Sequence, residues 1–277
     1  MELLIKNHDE LCSFMPHVMA AAHGEPALYD ELTPYLQQAQ RWIYGEIVEP
    51  GIIEAAAETS PAILSVAAHL SVVEAMRVAV PMLDVTFTPN GIATVGNQTL
   101  VPASQQRIDR LIAALEEERD RLADELIGFV VHRDDWRRSS AGKWYCRTLF
   151  PRPAMLSAAC GGKLPGRDKY AEITARVEFF EQSLQAQFFS PELMERWRMQ
   201  PVTSPLEVVT LEKVRCAVLM ALDENGSRRK LHHHLRLIVD TIRRNPDTFP
   251  LWHASEVAEL YIPIEFENDK KSHGYFF

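Results

Sequence analysis

The chain has 277 residues, 47% of them hydrophobic and 24% charged, with a formal net charge of −9. That balance suits a soluble globular protein with one large or two ordinary domains, and it excludes general nucleic-acid binding, which needs basic surface. Cys12, Cys146, Cys160 and Cys216 lack CxxC spacing and read as reduced, partly buried thiols of a cytosolic protein, not as disulfides or metal ligands.

The opening MELLIKNHDEL has no basic region followed by a long apolar core, so no signal peptide is expected. The apolar stretches are broken by Ser, Glu, His or Arg before about 18 residues, so no transmembrane helix is expected. From Tyr29 to Ile47 the apolar residues Tyr29, Leu32, Leu36, Ala39, Ile43 and Ile47 share one helical face, with Thr33 and Pro34 as N-cap and first helical position. Pro50 opens a short helix, and an apolar helical segment runs through Val73–Val80.

Leu83–Ser104 is the clearest β signal. Leu83, Val85 and Phe87 alternate with Asp84, Thr86 and Thr88, Pro89-Asn90-Gly91 supplies a turn, and Ile92–Val95 returns. The predicted hairpin occupies 83–100. Ser104 then caps a long helix carrying Ile108, Leu111, Ile112, Leu115, Leu122, Leu126 and Phe129. Val131–Pro153 is Arg-rich, lacks helical periodicity and is predicted to be a linker.

Beyond it the plan recurs. Tyr170, Ile173, Val177, Phe180, Leu184 and Phe188 repeat the spacing of the first helix, and Ser190-Pro191 matches Glu49-Pro50. Leu211, Val214, Val218 and Leu222 line a second helix, and Leu231, Leu235, Ile238 and Ile242 a third. Phe179 and Phe189 lie off the main stripe, extending the apolar face toward another domain or subunit. The predicted architecture is therefore mainly α: a tandem duplication of a helical domain with the hairpin inserted in the first copy. The first domain is placed at 1–140, the diverged copy at 141–261, and a flexible tail at 262–277. Where the first copy carries the hairpin, the second has only Asp223–Gly226.

Candidate chemistry is sparse. His132-Arg133-Asp134 lacks every other kinase element. The consecutive His232, His233 and His234 of a helix point about 100° apart and do not converge on one ion. Gly161-Gly162-Lys163 lacks phosphate-loop context and reads as a turn. No catalytic, cofactor or metal residues are assigned, and no enzymatic activity is expected. The basic residues of 133–152, interleaved with Trp136, Trp144 and Tyr145, read first as a solvated linker whose aromatics pin it to a domain; nucleic acid is not an expected partner, and contact with DNA or an acidic partner surface through this stretch is the minority reading.

The run LDVTFTPNGIATVGNQTLVPASQQRIDRLIAAL, Leu83–Leu115, resembles the hallmark of an uncharacterised protein family of Bacteroides-type prophages and phages. Its members carry an apolar helix, a VTPTGFGVVS-like hairpin and a helix start of the form PAS-x-x-R-x-x-x-L. The counterparts are Val85–Gly91 with Ile92–Val95, and Pro102-Ala103-Ser104 with Arg107 and Leu111. Ile92 departs from the aromatic residue common there. The resemblance covers most of the chain and implies a virion structural role, similar to the head–tail connector adaptors that form rings under the portal. It implies no cofactor. It implies portal, connector or tail proteins as partners, a homo-oligomeric ring, no membrane, and a place in the host cytoplasm and then the virion. The interaction residues expected are Phe87, Pro89, Asn90, Gly91 and Ile92 of the hairpin and Tyr275, Phe276 and Phe277 of the tail. A hydrolase with a dispersed site and a helical regulatory or DNA-binding protein are the alternatives.

Overall fold

The structure, a computed structural model, describes residues 3–15, 28–83, 85–88, 91–94, 104–223 and 226–261, with the backbone alone for 83, 85–88 and 91–94. The chain is mainly helical. It separates into two compact units, Met1–Glu178 with Arg198–Pro201, and Phe179–Trp197 with Val202–Phe277.

The first unit contains α1 (His8–Phe14), α2 (Leu28–Glu46), α3 (Pro50–Ala57) and α4 (Ala62–Leu83). Its core gathers Leu11 of α1, Leu32, Leu36 and Ala39 of α2, and Ala68, Val72, Ala75 and Ala79 of α4. Small side chains on α4 let the helices approach closely, and the apolar stripes exclude water between them. α2 runs through Pro34, so Thr33 is not its N-cap. The Thr33 hydroxyl instead donates to the Tyr29 carbonyl at 2.8 Å. Pro34, the seventh residue of α2, has no N–H to give to the carbonyl one turn earlier, so it removes one helical hydrogen bond.

One span, Ala62–Met82, is long and apolar enough to cross a membrane by length and composition, with a mean hydropathy of 1.6. The expectation of no such span is corrected, because His69, Glu74 and Arg77 interrupt the sequence without lowering the average enough. The span is 61% buried inside the fold, as a core helix would be.

Strands β1 (Val85–Thr88) and β2 (Gly91–Thr94) pair antiparallel, with Val85 opposite Thr94 and Phe87 opposite Ile92. Pro89 and Asn90 lie outside the described residues. α5 (Gln105–Val130) follows, with Ser104 at its N-cap position making no side-chain cap bond.

The predicted linker is a folded part of the first unit. It forms α6 (Asp134–Arg138) and α7 (Ser140–Tyr145), and Trp136, Tyr145, Leu149 and Phe150 are buried. The Trp136 indole donates to the Ile47 carbonyl at 2.8 Å, which ties α6 to the end of α2. Helices this short show no periodicity, and their aromatic residues are core. A 3-10 helix, Pro153–Cys160, ends at Gly161 (φ 66°) and Gly162 (φ 86°), left-handed positions that favour glycine. The units part inside α8 (Arg167–Leu184), not near residue 140.

In the second unit, α8 runs into a π-helical segment, Gln185–Phe189, followed by α9 (Pro191–Met199), α10 (Pro205–Leu222), α11 (Arg228–Arg243), α12 (Pro250–His253) and α13 (Glu256–Glu259). The wider π turn shifts the register. Phe189 is therefore fully buried rather than on an outer face, while Phe179 stays 75% exposed. Buried Glu207 accepts from the Trp197 indole at 2.9 Å and pairs with Arg196. Residues 262–277, including Tyr275, Phe276 and Phe277, lie outside the described residues.

The tightest constraint is at Gly142, where an added Cβ would stand 1.8 Å from the Trp136 carbonyl oxygen. Gly142→Ala must push α7 off α6, and should destabilise by about 3 kcal/mol, the top of the usual overpacking range. Urea unfolding followed by circular dichroism measures this, and a change below about 0.5 kcal/mol would contradict it.

Candidate functional site

α4 and α5 pack along one another, with the two strands between them in sequence. Arg77 of α4 grips Glu74 through Nε at 2.8 Å and Nη2 at 2.9 Å, and stands 3.8 Å from Glu116 of α5. His69 and Glu118 are 4.0 Å apart. The Arg121 hydrogen bonds hold the Glu118 carboxyl below the usual range. Asp120 is pushed up, because burial outweighs its bonds from Arg119.

The apolar stripe of α5 is covered along only part of its length. Leu122, Leu126, Ile127 and Val130 are buried. Toward the strands Ile108, Ile112 and Leu115 are half-buried and Leu111 is 46% exposed, as is Met82 of α4 at 51%. Charged residues flank this face, Arg107, Asp109 and Arg110 among them. The two-stranded sheet carries no third strand on either edge among the described residues. Half-covered apolar side chains beside open backbone donors and acceptors can bind a protein surface by packing and strand addition. Gly91 and Ile92 are placed by the β2 backbone and Phe87 by β1.

Several cations of the basic stretch 133–152 make contacts within the fold. Arg133 pairs with Asp135 at 2.6 Å, and Arg137 is buried, donating to the carbonyls of Val131 at 2.7 Å and Arg198 at 2.6 Å. Arg152 pairs with buried Asp124, which also accepts from the Ala154 amide at 2.9 Å. The Arg147 and Arg167 guanidiniums lie 4.9 and 4.6 Å from the Trp144 ring centre, within cation–π range. Arg147 also donates to Thr174, and Arg167 pairs with Glu46. These cations hold the fold together. Arg138 and Lys143 remain exposed.

Elsewhere, Cys146 is a buried thiol pushed up to about 11 by desolvation, whereas Cys216 is exposed, not partly buried. His234 contacts the Lys213 carbonyl at 3.1 Å, and His232 meets Phe188 edge-on with ring centres 6.0 Å apart. The second unit holds a pocket of about 500 Å³ lined by residues of α8, the π turn, α10 and α11. Neither this pocket nor the uncovered half of the α5 stripe was read from the sequence. Exposed Leu111 and buried Leu126 share one apolar pattern, and only tertiary packing separates them.

A family of unknown function, DUF6712, matches residues 21–145, less than half of the chain. The match holds α2 to α7 and both strands. No curated protein and no solved structure matches the chain.

Burial pushes the Tyr145 hydroxyl up to about 12, and raises that of Tyr170 well above its ordinary value. Their folded values exceed the ordinary phenol value near 10. This contribution to stability is full below about pH 10 and is lost as pH rises toward and through about 12, because the unfolded chain releases its protons first. An alkaline absorbance titration should leave at least two of the seven phenols protonated at about pH 11. Smooth ionisation of all seven near pH 10 would contradict this burial.

Proposed function

We propose that this chain is an assembly protein of a phage or prophage virion, of the head–tail connector or head-completion type. It works by protein–protein contact and without catalysis. Its partners are the portal, neighbouring connector or tail proteins and further copies of itself in a ring, formed in the host cytoplasm and retained in the virion. The observation that carries the reading is the open two-stranded sheet beside the half-covered apolar face of α4 and α5. A ring needs a surface that binds a different surface of the next copy, and unpaired strand edges supply a directional one.

The chain is a tandem duplication in this reading, and the hairpin is an insertion in the first copy. The order α2, α3, α4, α5 and α6 has a counterpart in α8, α9, α10, α11 and α12. A repeated hydrogen bond gives further support. The Trp136 indole donates to the Ile47 carbonyl at 2.8 Å, and the Trp252 indole donates to the Phe188 carbonyl at 2.8 Å. Ile47 and Phe188 are the final residues of the two matched stripes, and both indoles are fully buried. The family match covers the first copy with its strands.

Replacing Thr86–Thr94 by an Asn-Gly turn should shift the urea midpoint little and abolish association with portal protein in light scattering. If the shortened chain fails to fold, the hairpin is core structure. Leu111→Asp then serves as the second variant: it should fold normally and lose at least tenfold in affinity. Unchanged association of both variants would remove the assembly role from this surface.

A further inference from the structure

The pocket of the second unit has an apolar floor, a basic helix turn at its mouth and Tyr261 bonded to one of its lining residues. The floor is made by Phe180, Leu184, Phe188, Met220, Leu231 and Leu235. Its volume, about 500 Å³, is ample for several apolar side chains. The mouth is the N-terminus of α11, a helix of 16 residues with no acidic residue in its first turn. Arg228, Arg229 and Lys230 stand in that turn instead, all exposed; of these Arg228 lines the pocket, as does the acidic Asp223. Three cations at the positive end of a helix dipole repel the helix and one another, so an acidic ligand at this position would relieve both.

The described chain ends beside this pocket. The Tyr261 hydroxyl donates to the carbonyl of Gln187, itself a lining residue, at 2.8 Å, and Tyr261 packs near Trp252 with ring centres 6.0 Å apart. The sequence that continues is Ile262-Pro263-Ile264-Glu265-Phe266-Glu267-Asn268-Asp269. Ile262, Ile264 and Phe266 alternate with Pro263, Glu265 and Glu267, so an extended segment presents apolar side chains on one side and acidic ones on the other. Five extended residues reach about 17 Å, enough to cross a pocket of this size from its rim.

We propose that this pocket is the seat of the chain's own segment Ile262–Phe266. Ile264 and Phe266 fill the apolar floor, and Glu265, Glu267 and Asp269 neutralise Arg228, Arg229 and Lys230. The occupant is intramolecular because Tyr261 already anchors the segment's start at Gln187. A short tether gives a high effective concentration that a separate copy would have to exceed. The inference is independent of the assembly reading, since it concerns only the second unit.

Hydrogen exchange measured by mass spectrometry on the full chain tests it. In the unaltered protein the amides of 262–268 should exchange at least tenfold more slowly than an unstructured segment does. Ile264→Asp with Phe266→Asp should abolish that protection and speed exchange in 183–188 and 231–235 at least tenfold. Arg228→Glu with Arg229→Glu should weaken protection, and adding Glu265→Arg with Glu267→Arg should restore it. Unstructured-rate exchange of 262–268 in the unaltered protein would overturn the proposal. So would pocket amides indifferent to Ile264→Asp with Phe266→Asp, or failure of the charge swap to restore protection. Protection that falls on twentyfold dilution would assign the seat to another copy's tail and overturn the intramolecular assignment.

Discussion

The hydrogen bond from the Trp136 indole to the Ile47 carbonyl joins residues 89 positions apart, in the interior of the first unit. A buried indole N–H needs a partner, and a carbonyl at a helix end needs a donor, so each satisfies the other. With Trp136 fixed, α6 lies against the end of α2, and α7 can follow only because Gly142 allows contact at the Trp136 carbonyl. Tyr145 then packs on Tyr170, whose hydroxyl donates to the Phe150 carbonyl at 2.7 Å. The Arg-rich stretch is thereby turned inward, and its guanidiniums cover aromatic rings and carbonyls. The second unit relies on the same kind of bond, from Trp252 to Phe188.

This distribution of contacts separates rigid parts from exposed ones. In the half-buried ion pairs, Arg152 with Asp124 and Arg196 with Glu207, a partly exposed arginine covers a buried carboxylate that would be costly to leave alone. The surface pairs on α5, Arg121 with Glu118 and Glu125, are well formed but solvated and contribute little. Core packing along α5 begins near Leu122, and the residues before it face water over much of their surface. Apolar groups left in that state favour a partner that covers them.

The two surfaces singled out differ in chemistry. The α4–α5 face offers half-covered apolar side chains among mixed charges, and a two-stranded sheet with no third strand among the described residues. The pocket of the second unit offers an open cleft with an apolar floor, beside a basic first turn of α11. The first suits a broad protein surface, the second a short acidic and apolar segment. Both arise where an element ends, since only there are backbone groups and apolar stripes left incomplete.

The periodic helices were legible because an apolar repeat of three to four residues is a local property. Leu32, Leu36, Ala39 and Ile43 are all buried on one face of α2, and Leu235, Ile238 and Ile242 on one face of α11. The turn at Gly161-Gly162 was legible for a similar reason, as positive φ favours glycine. The role of Val131–Pro153 was not legible, because its helices are shorter than one amphipathic repeat and its packing partners lie in α2 and α8. The π turn that buries Phe189, the course of α2 through Pro34 and the pocket at the start of α11 escaped for the same cause. Sequence by itself determined the helical class and the buried faces, since period and hydrophobicity are carried by neighbours in the chain. Tertiary structure alone decided which stripes are covered and which cations are spent inside, because those depend on residues far apart in sequence.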